Sequence, residues 1–152
     1  MNDVPLPYLQ SLHEKLALAL GTAIWAFARI EWRVHENLKA LSLDHVDELV
    51  ADQALRQRLG ILRKLVDRRD APVAPKERAK SAIKAIEDLS DRRNIIVHNP
   101  WQIWVSLDSS TLMTEIQKYN TPARSLDISA LEQFTDAAGA LEMEIDNAFN
   151  AL

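Results

Sequence analysis

Apolar residues at Leu12, Leu16, Leu20, Ala23, Phe27, Ile30, Val34, Leu38 and Leu41 recur in steps of three and four, the spacing that lines one face of a helix. The pattern predicts a long amphipathic helix from about Leu9 to Leu41. Asp44 stands where a side chain would cap a second helix. Asp47 and Glu48 fall in its first turn, where the helix dipole favours negative charge, and Leu55, Leu59, Leu62 and Val66 continue its face towards Arg69. Asp70 to Pro75 holds two prolines and reads as a connector, and Pro75 suits the first position of a third helix. That helix is expected to stop near His98, because the residue before Pro100 is pushed out of the α region.

Past Pro100 the period changes from 3.6 to alternation. Trp101, Ile103 and Val105 share one side, and Leu112, Thr114, Ile116 and Lys118 follow beyond Asp108-Ser109-Ser110. This predicts a β-hairpin turning at those polar residues and ended by Pro122. Ser129 with Glu132 three residues on makes a capping box for a last helix marked by Leu131, Phe134, Ala138, Leu141, Ile145 and Phe149. The expected fold is mainly α: a single domain over residues 1–152, an up-down bundle of four main helices with a hairpin between the third and fourth.

Composition narrows the chemistry. The 152 residues include three Gly and no Cys, which excludes disulfides, thiol catalysis and Cys-ligated metals and argues against a glycine-rich phosphate cradle. His13, His35 and His45 show no ligand spacing with carboxylates, so neither metal nor cofactor is expected. The most apolar run, Leu16 to Ala28, is 13 residues long, short of the ~20 that cross a bilayer. Ala26-Phe27-Ala28 mimics a signal-peptidase site, but a positive segment ahead of it is missing. No membrane association and a cytoplasmic location are the expectations.

The net charge of −4 is unevenly placed: Arg56 to Arg93 holds 12 Lys and Arg against 6 Asp and Glu, and the rest of the chain holds 6 against 16. A basic middle is either a solvated helical face or a strip that contacts a polyanion.

One residue violates the pattern of its own helix. On a wheel of 100° per residue, Arg93 falls among Ile83, Ile86, Leu89, Ile96 and Val97, in the middle of the apolar stripe. A guanidinium stays charged, so Arg93 must find a carboxylate or a bound anion. Asn94 and His98, four residues apart, lie on one face beside it.

The hexapeptide Arg93-Asn94-Ile95-Ile96-Val97-His98 resembles the Arg-x4-6-His signature of the HEPN superfamily (higher eukaryotes and prokaryotes nucleotide-binding), in the form where a polar residue follows the Arg. The motif match covers those six residues, and the helical plan agrees over most of the chain. The resemblance implies a helical bundle that pairs as a homodimer with the motifs facing across the interface. It also implies metal-independent endoribonuclease activity, as in toxins of toxin–antitoxin pairs and in phage-defence RNases. In that reading His98 is the general acid or base for attack of a ribose 2′-OH on the adjacent phosphate. Arg93 neutralises the phosphorane-like charge, and Asn94 positions His98 or a phosphate oxygen.

A carboxylate on the first helix often accompanies the motif. Glu31 is the candidate, and an i,i+4 pair with His35 is its alternative. Arg92 is placed either on RNA phosphate or in solvent. Trp101 and Trp104 either stack on a base or pack in a core or dimer interface. Trp25 and Trp32, seven apart on the first helix, share a stripe that suits core packing or a subunit interface. The competing expectations are a non-catalytic HEPN module that binds a nucleotide or a partner protein, and a purely structural helical dimer. An antitoxin is the partner implied by the toxin reading.

Overall fold

A computed structural model describes residues 6–105, 112–118 and 121–152, with side chains over 7–103 and 126–152. The protein is mainly helical. The described residues form five helices, α1 (Leu6–Leu41), α2 (Val46–Val50), α3 (Leu55–Arg68), α4 (Val73–His98) and α5 (Ile128–Phe149), with strands β1 (Trp101–Val105), β2 (Leu112–Lys118) and β3 (Thr121–Leu126) between α4 and α5. Among these residues no helix is long and apolar enough to cross a membrane.

The first helix follows its periodicity. Ala23, Phe27, Ile30, Val34 and Leu38 are buried, and α1 packs on α5, on α3 and on α4. These side chains meet Leu59, Leu62, Ile83, Ile86, Leu131, Phe134 and Ile145 in one core. Each large aliphatic or aromatic group there contributes about 1.5–3 kcal/mol by leaving water.

The second helix departs from expectation by splitting into α2 and α3. Val50 and Leu55 would lie about 140° apart on a continuous helix, yet both are buried. The break at Ala51–Ala54 turns each of them to the core. Asp44 does not cap α2; His45 occupies that position in the left-handed region, with φ 51°.

Helix α4 starts at Val73, so Pro75 sits within the first turn, where its missing N–H costs nothing. The helix ends at His98 with Asn99 extended (φ −117°, ψ 144°), the conformation that Pro100 imposes. The amide of Asn99 donates to the Ile95 carbonyl at 2.8 Å, and the Trp101 indole N–H donates to that of Ile96 at 3.3 Å. Of its apolar stripe, Ile83, Ile86, Leu89 and Ile96 are buried, whereas Val97 is exposed.

Strand β1 pairs antiparallel with β2, Ile103 opposite Thr114, and β2 pairs antiparallel with β3. The expected turn at Asp108-Ser109-Ser110 lies outside the described residues, as does the side chain of Trp104. Pro122 does not end the strands: it falls within β3, an outer strand of the β1-β2-β3 order, where a residue without an N–H is tolerated. The cap of α5 also differs from expectation. Asp127 rather than Ser129 is the N-cap, accepting a hydrogen bond from the Ala130 N–H at 2.8 Å.

Candidate functional site

The misfit arginine of α4 finds its carboxylate on α1. Arg93 Nη2 lies 2.7 Å from Glu31 Oε1, and the same guanidinium donates through Nη1 to Asn94 Oδ1 at 3.2 Å. Its carbon sits 5.0 Å from the centroid of the Phe27 ring, one helical turn before Glu31. The cation therefore keeps its charge in a half-buried place by combining a charge-assisted bond with an aromatic face. The i,i+4 alternative for Glu31 is not what the helix uses: His35 lies against the Trp32 ring at 5.7 Å and 4.0 Å from the buried Asp47.

Glu31 is shared. Its other oxygen takes Arg58 Nη2 of α3 at 3.4 Å, and the Arg58 Nε, also buried, has no partner. Two guanidinium groups on one carboxylate leave a local excess of one positive charge, with a donor to spare. Arg58 escaped the sequence reading because it does not fall within the apolar stripe of its helix as Arg93 does. It lies at the edge of the buried face of its helix, about 40° beyond Leu62 on a wheel of 100° per residue.

Beside this triad a cleft of about 460 Å3 opens between α3 and α4, lined by Leu55, Arg56, Glu87, Ser90, Arg93 and Asn94. His98 stands exposed at the last residue of α4, on the same helix and beyond the cleft. Arg92 is exposed, with its guanidinium carbon 5.6 Å from the centre of the Phe134 ring. Trp101 is half-buried against the core, and its indole N–H is spent on the end of α4. Thus Arg93 touches both Glu31 and Asn94, whereas no bond joins His98, Arg92 or Trp101 to that contact among the described residues.

Much of the basic middle is neutralised within the fold. Arg56 pairs with Asp91 at 3.9 Å, Arg63 with Glu87 at 3.2 Å and Lys84 with Asp88 at 2.7 Å. Arg78 grips Glu144 of α5 with two bonds of 2.7 and 3.0 Å. This grip holds the Glu144 carboxyl below its ordinary value of 4.5 and raises the guanidinium above its own. Surface pairs of this kind contribute little each. They do mean that the charge available to a polyanion is smaller than the composition of the segment suggests.

A second ionic cluster was not anticipated. Glu142 of α5 is buried and receives Arg29 Nη2 at 2.6 Å and Arg33 Nε at 3.4 Å from α1, and Arg33 also reaches Asp146 at 3.2 Å. Trp25 and Trp32 flank it on the surface. Both indoles are exposed, so the core placement of these residues is corrected. Compared along its length, the chain matches no protein-family profile, no curated protein and no solved structure.

Proposed function

We propose that the chain is a metal-independent endoribonuclease of HEPN type, toxin- or defence-like and cytoplasmic, built as an up-down helical bundle with a β-hairpin and acting on RNA as a homodimer with Arg93 and His98 at the dimer interface. The observation that carries this reading is the 2.7 Å contact between Glu31 and Arg93. A carboxylate of the first helix meets the arginine of the Arg-x4-6-His pattern, with Asn94 on the same guanidinium and His98 exposed at the end of the helix.

In the reaction, His98 takes the proton of a ribose 2′-OH as its oxygen bonds to the adjacent phosphorus. Arg93 and the neighbouring Arg58 stabilise the dianionic phosphorane, while Glu31 and Asn94 hold the Arg93 fork in orientation. The bond from phosphorus to the 5′ oxygen then breaks, that oxygen takes a proton from water, and the protonated His98 returns its own to the resulting hydroxide. The products are a 2′,3′-cyclic phosphate and a 5′-OH end, and a 2′-deoxy nucleotide at the cut blocks the reaction. Arg92 and Trp101 are the residues beside the motif that would meet RNA, and an antitoxin is the partner this class implies.

The test is incubation of the purified chain and of His98→Ala with mixed single-stranded and structured RNAs in EDTA, with end chemistry mapped. Cleavage to cyclic-phosphate ends that is lost in the variant supports the reading. Absence of cleavage by a folded chain at high concentration removes it. The second reading, a non-catalytic HEPN module that binds a nucleotide or a partner protein, is favoured by how fully Arg93 is engaged by Glu31, Asn94 and Phe27. Its test is binding of a nucleotide without turnover.

A further inference from the structure

Helices α1 and α5 leave an open groove between them, on the flank of α1 away from Glu31. Arg29 and Arg33, which reach α5, lie about 160° around α1 from Glu31. One cleft of about 530 Å3 is bordered by Lys15, Leu18 and Thr22 of α1 and by Glu132 and Asp136 of α5. A second, of about 460 Å3, follows it along α1 between Trp25, Trp32 and Glu142. Together they run from Lys15 to Arg33, about 27 Å along α1, the length of a helix of five turns.

The rims of this groove are apolar where the chain itself gains nothing from it. Leu18, Trp25 and Trp32 on α1 and Met143 on α5 are exposed by 72, 73, 60 and 65%. They leave on the order of 500 Å2 of apolar side chain in water, the size at which the largest patch of a monomer marks an interaction site. Gly21 of α1 and Gly139 of α5 are two of the chain's three glycines. Both stand exposed in mid-helix, where glycine is a poor helix former, and a Cβ built on either meets nothing within 4 Å. Packing within the chain gives no reason for them, whereas the close approach of another backbone does.

Charge selects the occupant. Helix α5 carries Glu132, Asp136, Glu142, Glu144 and Asp146 and no Lys or Arg. Arg29, Arg33 and Arg78 pair with the last three. Glu132 and Asp136 have no ion-pair partner among the described residues, and Lys15 across the cleft is bonded to neither. Carboxylates beside an apolar rim repel nucleic acid and favour Lys or Arg, whose long stems cover apolar surface while their charge stays at the edge.

We infer that the α1–α5 groove is a docking site for a basic amphipathic helix of another protein. The apolar stripe of that helix lies across Leu18, Trp25, Trp32 and Met143, its backbone comes closest over Gly21 and Gly139, and its Lys or Arg residues meet Glu132 and Asp136. This is helix-in-groove recognition, in which anchors at three-four spacing supply the affinity and the flanking charges choose the partner. The inference stands on this face alone and does not rest on the ribonuclease reading, whose Glu31–Arg93 contact lies on the other flank of α1.

The test is fluorescence anisotropy of three labelled peptides of about 18 residues, each titrated with the full chain to about 100 μM. One is a helix of Leu and Lys with the Leu at three-four spacing, one replaces every Lys by Glu, and one scrambles the Leu and Lys order. The wild type is expected to bind the first about 10-fold or more tighter than either of the others. Trp25→Ala should weaken that binding about 10-fold or more, and Glu132→Gln combined with Asp136→Gln about 3- to 10-fold, with far-UV circular dichroism unchanged. No binding of the patterned Lys peptide, or equal binding of all three, overturns the inference. Binding indifferent to Trp25→Ala overturns it too. Sedimentation velocity covers the other occupant: self-association that Trp25→Ala abolishes would give the groove to a second copy and overturn the inference as well. Peptide binding is read without RNA, so either proposal can fail while the other stands.

Discussion

Arg93 and Glu31, 62 positions apart in the chain, meet at 2.7 Å above the face of Phe27. The contact ties α4 to α1 at the edge of the core. Because Arg58 leans on the same carboxylate, Glu31 neutralises two cations, and its removal strands both. Glu31→Gln is expected to cost about 1–3 kcal/mol, lowering Tm by roughly 2–4 °C for each kcal/mol. Arg93→Gln alone should cost less, since Arg58 keeps Glu31 paired. A double-mutant cycle by thermal unfolding measures the coupling, and additive costs would show that the ion pair contributes nothing.

His98 offers the contrasting case. It is exposed at the last residue of α4, so His98→Ala should alter stability by no more than about 0.5 kcal/mol. Under the ribonuclease reading it should abolish metal-free cleavage. Comparison of unfolding curves with cleavage assays separates the two effects, and a variant that melts early would make any lost cleavage uninformative.

The two candidate caps of α5 are distinguished by one pair of substitutions. Asp127 accepts the Ala130 N–H, whereas Ser129 already lies inside the helix. Asp127→Ala should therefore cost about 1 kcal/mol, and Ser129→Ala under about 0.5 kcal/mol. Equal costs in urea titrations would return the cap to Ser129.

The Arg78–Glu144 grip sets a pH dependence whose sign follows from its chemistry. The hydrogen bonds from Arg78 lower the Glu144 carboxyl from its ordinary 4.5 in the folded chain. The contribution is thus complete above the unfolded value and fades as pH falls through the folded one. Glu144→Gln should leave a stability difference from wild type at neutral pH that closes on acidification below about 4.5. A difference that stays constant with pH would exclude the linkage. The exposed setting keeps the effect small.

Much of this architecture can be read from spacing because helices report burial every three or four residues. The core face of α1 and the demand of Arg93 for a carboxylate follow from periodicity plus one misplaced charge, and the stop at His98 follows from Pro100. Arg58, at the edge of its stripe rather than within it, gives no such signal. What spacing does not report is which element supplies a partner. The buried Glu142 with Arg29 and Arg33 depends on how α5 lies against α1, and no pattern within either helix encodes it. The break between Val50 and Leu55 was hidden because its four residues contain neither Gly nor Pro. The outward setting of Trp25 and Trp32 was legible as well: on the wheel that puts Ile30 and Val34 in the core they fall on the opposite side.

The clasp at the end of α4 carries one more implication. Asn99 and Trp101 hold the carbonyls of Ile95 and Ile96, and Trp101 is also the first residue of β1. The last turn before the imidazole is thus fastened by the segment that begins the sheet, so fraying there requires the sheet edge to let go as well. Anything that grips or loosens β1 will be felt first as a change in how steadily His98 is presented.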